Sequence, residues 1–302
     1  MWIYGLGALT LLILLEFLRS GRVLSVTRKE IFLPRLGKAW EGVKICHLSD
    51  LHLSGLLRNG RLEAILATER PDLIVISGDL LDCHHPERQE EVFHFLRRIG
   101  GKFPVYCSLG NHEMRIFPGA KGDALEEKFT DAGAILLRNR GIVLEKEGEN
   151  LYLYGYLQPL LPARNPNHAR LRQDIRREDL IEALGKCPAD GTVLFLAHDP
   201  ALFPVYAEWG ADLILSGHIH GGAVRLPWLG GVLSPARRFF PKYDAGIFSM
   251  GRSQMAVSRG LARTEIPRFL NPREVAFFTL RREDRAEQED QSNLRLEKNN
   301  EK

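Results

Sequence analysis

The sequence predicts an α/β domain preceded by a membrane helix, and three observations carry that expectation. Five short apolar runs recur along the middle of the chain, each of strand length and each ending in residues that can bind a metal or handle a proton. Stretches with helical spacing separate these runs, the alternation that α/β domains show. Residues Trp2 to Leu18 are almost wholly apolar, broken only by Thr10 and Glu16.

Taken in order, that apolar stretch sits at the short limit for a spanning helix, which needs roughly 17–25 residues. Its basic neighbours Arg19, Arg22, Arg28 and Lys29 follow it, and no small-x-small cleavage site is present, which argues against a cleaved signal peptide. The same asymmetry puts the following domain on the cytoplasmic side of the cell membrane. A helix lying in the interface is the alternative, since the segment is short and carries Glu16. The expected organisation is an anchor at 1–24, a linker at 25–40, a catalytic domain at 41–281 and a tail at 282–302. The tail has mixed charge and few large apolar residues (Leu294, Leu296), so disorder is expected rather than a surface helix.

Within the domain, Val43, Ile45 and Leu48 lead into Asp50-Leu51-His52, and Leu73 to Ile76 leads into Ser77-Gly78-Asp79 with Asp82 three residues on. Val105 to Leu109 leads into Gly110-Asn111-His112-Glu113, Val193 to Ala197 stops at His198, and Leu213 to Ser216 stops at Gly217-His218-Ile219-His220. In open α/β sheets, sites gather outside the carboxyl ends of the strands. Carboxylate, imidazole and amide oxygen are groups a borderline divalent metal accepts. Gly60 to Arg70, Glu87 to Ile99 and Asp123 to Ala132 read as helices, the first stopped by Pro71-Asp72. Ile142 to Glu147 and Leu151 to Tyr156 alternate as a hairpin around Gly148-Glu149-Asn150. Gln158 to Asp174 and Trp228 to Pro241 lack a clear period and read as long excursions, which in compact domains are often functional.

The composition is that of an ordinary globular protein: 302 residues, 44% apolar and 26% charged. A net charge of +3, evenly spread, gives no footprint for nucleic acid. Cys46, Cys83, Cys107 and Cys187 show no CxxC spacing and are read as free thiols.

In content and order, Asp50-x-His52, Gly78-Asp79-x-x-Asp82, Gly110-Asn111-His112-Glu113, the lone His198 and Gly217-His218-x-His220 resemble the signature blocks of the calcineurin-like metallophosphoesterase superfamily. One block alone arises often by chance, whereas five in order, each after an apolar run, make a specific pattern. Tyr243 to Phe248, Ser258-Arg259-Gly260-Leu261 and Asn271-Pro272-Arg273-Glu274 look like closing strands of the membrane-anchored bacterial members. The resemblance implies a four-layer αββα sandwich, two face-to-face mixed β-sheets flanked by helices.

It also implies two divalent metal ions, manganese with iron or zinc as alternatives, and hydrolysis of a phosphodiester, phosphomonoester or pyrophosphate bond by metal-bound hydroxide. Position by position, Asp79 would bridge the metals; Asp50, His52 and His220 would complete one, and Asn111, His198 and His218 the other. His112 would be the catalytic proton donor to the leaving group or a stabiliser of developing charge, with a pKa in the useful range, and Asp82 would orient a histidine. Arg115 and Arg225 are candidates for a substrate phosphate, each weighed against a solvated surface arginine. Trp228, Phe239 and Phe240 are read as packing residues before they are read as a lipid or base groove. His47 and His94 are read as structural or surface residues. His84 and His85 are divided equally between lining the pocket and solvent exposure, and His168 is uninformative.

One departure from the anchored bacterial pattern is clear. Ile219 and Ala223 stand where those members carry Thr and Gln, which alters substrate detail without touching the ligand histidines. An anchor favours a lipid-linked substrate such as UDP-2,3-diacylglucosamine of lipid A synthesis, although one branch of those pyrophosphatases carries Arg where this chain has His112. A nucleotide or general envelope phosphatase is the alternative. A non-enzymatic module of the same fold would have lost ligands, and a purely structural metal would have closed coordination; the seven filled positions with His112 beside them fit neither.

Overall fold

Two six-stranded sheets, packed face to face, form the centre of the computed structural model, which describes residues 2–52, 54–117, 122–165, 169–234, 239–262 and 267–283. Helix α1 (Trp2–Arg22) comes first. The first sheet is built from β1 (Leu24–Leu33), β2 (Lys44–Leu48), β3 (Leu73–Ser77), β4 (Val105–Ser108), β5 (Ile135–Leu136) and β14 (Arg273–Arg282). Its spatial order is β1-β14-β2-β3-β4-β5, parallel throughout except where β14 meets β2. The second contains β6 (Arg140–Lys146), β7 (Glu149–Tyr156), β8 (Thr192–Ala197), β9 (Leu213–Ser216), β12 (Gly246–Met250) and β13 (Ser253–Val257). Its order is β12-β13-β9-β8-β7-β6, with antiparallel pairs at both edges and parallel pairs between. Both sheets are therefore mixed.

The alternation of side chains along each strand divides the core into layers. Ile45 and Val75 of the first sheet meet Leu194, Leu196, Leu213 and Leu215 of the second in the central layer. Their neighbours Cys46, Leu48, Ile74 and Ile76 face the other way, onto α2 (Arg61–Glu69), α3 (Glu90–Gly100) and α5 (Gly122–Asp131). On the opposite flank, Val193, Phe195 and Ile214 pack against α6 (Arg177–Leu184) and α7 (Phe203–Trp209), with Phe203, Tyr206 and Trp209 buried among them. Strands covered on both faces read as continuous apolar runs, which is why β3 and β8 were visible in the sequence. The fold is the expected four-layer arrangement of helix, sheet, sheet and helix.

Three expectations need correction. Residues 25–40 are not a linker: β1 pairs in parallel with β14 over its full length, from Leu24↔Arg273 to Leu33↔Arg282. Ile31 and Leu33 turn into the central layer, and Ala39 and Trp40 follow them into it. The catalytic body therefore begins at the end of α1. The second excursion is also partly regular, since β11 (Gly230–Leu233) pairs with β10 (Val224–Leu226) in a separate two-stranded ribbon. The proposed helix at Glu87 begins later, after a single 3₁₀ turn at Pro86–Arg88. Among its described residues the excursion at 158–174 is irregular as expected, apart from an isolated bridge between Leu160 and Leu171. The expected disordered tail falls almost wholly outside the described residues, as does His168. All four cysteines are free thiols.

Leu196 sits in the central layer with no exposed surface. Leu196→Ala should destabilise the domain by about 2–5 kcal/mol, the range for emptying a close-packed leucine site. Urea unfolding should show a lower midpoint with an unchanged slope.

Candidate metal centre

The parallel strands β2, β3 and β4 of one sheet, and β8 and β9 of the other, deliver their carboxyl ends to one edge of the sandwich. Backbone bonds tie these ends together: Asp50 N–H donates to Gly78 O at 3.1 Å, and Gly217 N–H to His198 O at 3.0 Å. The crowding explains the glycines of the blocks. A Cβ on Gly110 would strike the Asp79 carboxylate, and one on Gly217 would strike Ser49 and Asp50. Five site residues hold left-handed backbone: Asp50 at φ 51°, His52 at 36°, Asp79 at 52°, His218 at 68° and His220 at 53°. Such conformations cost on the order of 1–3 kcal/mol each and persist where the surroundings over-determine them.

Two clusters result. Ligating atoms of Asp50, His52 and His220 lie within 4.8 Å of one another, and so do those of Asp79, His198 and His218. Asp79 Oδ2 faces both, at 3.5 Å from His52 Nε2 and 3.0 Å from His198 Nε2. Asp50 Oδ1 stands 3.4 Å from His220 Nε2 and accepts the His218 N–H at 3.0 Å. Ser77 O, an acceptor only, lies 2.8 Å from His198 Nδ1, so that nitrogen carries the hydrogen and Nε2 is turned to the carboxylates. Asn111 is buried at the start of α4 (Asn111–Ile116), and its Oδ1 meets no donor among the described residues. A buried amide oxygen without a donor, beside imidazoles and carboxylates, is a donor set that fits a divalent cation.

The electrostatics show the same demand. Burial would raise Asp79, yet the imidazoles of His198 and His112 hold it well below the ordinary carboxylate range. Burial raises Asp50 to about 6, with the Asp79 charge adding to it against the pull of His198. Burial works against the charged form of His198, but the carboxylates of Asp79 and Asp50 raise it to about 10. Burial and the neighbouring His112 charge push His52 down to about 3.

His112 lies beside the first cluster, its ring 4.2 Å from that of His52. Its backbone N–H donates to Asp79 Oδ1 at 2.9 Å. Asp82 Oδ1 stands 3.5 Å from His112 Nδ1, and Asp82 Oδ2 3.1 Å from His85 Nδ1. Burial opposes protonation of His112, but the Asp79 charge and then Asp82 raise it to about 11, while its Nδ1 also accepts the Cys83 N–H at 3.2 Å, which leaves the proton on Nε2. His84 and His85 are exposed at this rim, His94 is exposed on α3, and His47 is buried against Ser77 Oγ at 2.8 Å.

The two candidate arginines behave differently. Arg115 lines a cavity of about 690 Å³ that also includes Asn111 and His218, but its guanidinium donates to Ala169 O at 2.7 and 3.1 Å. It therefore fastens the 158–174 excursion over the cavity. Arg225 is not brought to the site: it pairs with Asp244 at 2.9 Å and lines a separate cavity with Arg259 and Glu274.

Three positioning residues escaped the sequence reading. The buried Glu113 carboxylate accepts the N–H groups of Gly110 at 2.8 Å, Leu81 at 2.7 Å and Asp79 at 3.0 Å, pinning the Asp79 turn to α4. Its reach back to Gly110 is one half of a capping box, the only local signal available. Arg268 and Asn271 both donate to His220 O, at 3.2 and 2.8 Å.

Residues 43–222 match the calcineurin-like phosphoesterase family. The chain is 28% identical over 256 residues to the metallophosphoesterase YkuE of Bacillus subtilis, covering 80% of each. It is 26% identical over 225 residues to the phosphodiesterase YaeI of Escherichia coli, covering 72% of this chain and 74% of the other. It is 24% identical over 299 residues to the UDP-2,3-diacylglucosamine pyrophosphatase LpxG of Chlamydia trachomatis, covering 85% and 89%.

Glu113→Gln would turn an amide N–H toward one of three backbone donors. The expected cost is about 1–3 kcal/mol of stability, the penalty of an unsatisfied buried group, with weaker metal retention because the Asp79 turn loosens. Thermal melts and metal analysis of the purified variant check both. A second expectation concerns pH. Without a metal, His198 keeps its Nε2 proton up to about pH 10, so a cation binding there must displace it. Apparent Mn²⁺ affinity should rise about tenfold per pH unit across the neutral range, with about one proton released. Titration calorimetry in buffers of different ionisation enthalpy reads the proton directly.

Proposed function

Because this chain belongs to the calcineurin-like phosphoesterase family, whose members are phosphoester hydrolases with a binuclear divalent metal centre, we propose that it is a membrane-anchored phosphoesterase acting on an amphiphilic phosphate ester. One observation carries the metal assignment: Asp79 Oδ2 lies between His52 of one cluster and His198 of the other. In this reading Asp79 would be a ligand to both of two ions, taken as manganese; Asp50, His52 and His220 would hold one, and Asn111, His198 and His218 the other. When bound, the ions would polarise phosphoryl oxygens and lower the pKa of water toward neutrality.

The chain's own residues do the rest. His112, kept protonated by Asp79 and Asp82, gives its proton to the departing oxygen of the ester. The Cys83 N–H holds the ring at its Nδ1, with the Asp82 carboxylate beside it. Burial of Asp50, Asp79 and His198 keeps bulk water from screening the charges that act on the phosphate.

The cavity beyond Asn111 and His218 supports the substrate class. Leu171, Ile219, Phe240 and Tyr243 give it an apolar wall, and Arg170 and Lys242 add positive charge. An acylated sugar nucleotide such as UDP-2,3-diacylglucosamine carries both features, and the likeness to LpxG favours the same class. A nucleotide phosphatase is the second reading, favoured by Phe240 and Tyr243, on which a base can stack. Helix α1 supports the anchor: it has a 19-residue apolar window, Tyr4–Arg22, with Arg19 and Arg22 in its last turn, which favours a cytoplasmic catalytic domain.

Asp79→Ala should abolish Mn²⁺-dependent hydrolysis of bis(p-nitrophenyl) phosphate. His112→Gln should lower kcat by about 10²–10⁴-fold while sparing metal content. Full activity of the Asp79 variant in metal-depleted buffer would sink the two-metal reading. Assays of UDP-2,3-diacylglucosamine beside simple nucleotides decide between the two substrate classes.

A further inference from the structure

Outside α1, the four most exposed large apolar side chains among the described residues belong to one ribbon and the segment beside it. Trp228 is 102% exposed and Leu229 63% exposed at the tip of the β10–β11 ribbon. Phe239 and Phe240, 70% and 62% exposed, lie against the ribbon's other strand, through a Leu233–Phe239 bridge and a Phe240 N–H to Val232 O bond of 2.9 Å. Trp228 and Phe240 hold left-handed backbone at φ 65° and 48°, which is costly for bulky residues. Strained aromatics turned outward do not stabilise the fold, so something else must reward their position.

The patch is continuous with α1. Phe269 bridges to Val224 of β10, and its ring lies 4.9 Å from that of Phe17 on α1. Ser20 of α1 accepts the Asn271 N–H at 3.3 Å. Leu11, Leu12, Leu14, Leu15 and Leu18 of the same helix are more than half exposed, so α1 is docked only by its carboxyl end. Twenty-one helical residues span about 30 Å, the thickness of a bilayer core.

We propose that the β10–β11 tip, with Phe239 and Phe240, is a second membrane-docking surface that seats in the lipid interface beside α1. This rests on the reading of α1 as an anchor. Trp at the tip, Arg19 and Arg22 in the last turn of α1, and Lys242 beside Phe239 and Phe240 in the cavity lining match the chemistry of the headgroup level, where an amphipathic ring and basic side chains are favoured. The seat has a consequence for substrate. Phe239 and Phe240 also line the cavity that reaches Asn111 and His218, so docking sets the mouth of that cavity at the bilayer surface. A phosphate carried by a lipid then enters without leaving the membrane.

The test uses the full chain with Trp2→Phe, bound to phosphatidylcholine and phosphatidylglycerol vesicles. Trp40 and Trp209 are buried, which leaves Trp228 as the lipid-sensitive reporter. The expected result is a blue shift on vesicle binding and loss of the Trp228-dependent emission when the acyl chains are brominated, both absent from the Trp2→Phe, Trp228→Phe protein. Protein that floats with the vesicles while Trp228 stays open to iodide and untouched by bromine would overturn the docking and leave the anchor reading intact. A blue shift without bromine quenching would mean that a second copy covers the tip, and would also overturn it. Protein that fails to float would overturn the anchor reading and the docking together, with hydrolysis of soluble esters judged separately.

Discussion

The Asp79 carboxylate is the constraint on which the structure converges. Its Oδ2 faces an imidazole from each sheet, and its Oδ1 accepts the first turn of α4 through His112 N–H. Such a position exists only if the sheets stand at the right separation. That separation is set by the central layer, where Ile45 and Val75 meet Leu194, Leu196, Leu213 and Leu215. Close packing transmits small volume changes as displacement. The apolar core and the polar edge are therefore one design, since a shift in the former moves His198 relative to Asp79.

Holding these groups together has an energetic cost that the rest of the fold must bear. Asp50, Asp79 and Glu113 are three buried carboxylates within one neighbourhood, and the backbone at five site positions is left-handed. The compensation is local and specific. Glu113 is satisfied by three backbone N–H groups, Asp50 by Ser49 and His218, and His198 by Ser77. What these bonds leave over is an unsatisfied Asn111 Oδ1 and imidazole nitrogens aimed at carboxylates. A site arranged so that its remaining need is a cation is preorganised for metal, because little reorganisation is left to oppose binding.

Legibility in the sequence followed locality. Strands β3 and β8 are covered on both faces, so their apolar runs were unmistakable, and each ended at a candidate ligand. Strand β1 was misread because Thr27, Arg28, Lys29 and Glu30 interrupt it, and its evidence is a partner some 250 residues away in β14. Arg225 was likewise assigned by its nearness to a motif, whereas its actual partner is Asp244, which also accepts the Gly231 N–H of the ribbon. Glu113 stood in plain view within a motif, but its task depends on a turn geometry that spacing does not reveal. Arg268 and Asn271 act on His220 from a separate segment, so no periodicity could have linked them.

The division between strand ends and excursions also explains why reaction class and substrate separate so cleanly. A ligand at a strand end inherits its position from the ladder, and its neighbours on both sides are fixed by burial. The described parts of the excursions at 158–174 and 224–243 lie outside both main sheets and are held by the small β10–β11 ribbon and by side-chain anchors, among them Arg115 on Ala169 and Asp244 on Arg225. They can vary in sequence without moving a metal ligand, and they form the walls of the cavity. The loop carrying Phe269 and Asn271 joins the two regimes: it fastens α1 on one side and His220 on the other. A helix tied to the same loop as a candidate ligand gives the site a fixed orientation relative to α1, where a flexible linker at 25–40 would have left it free to rotate.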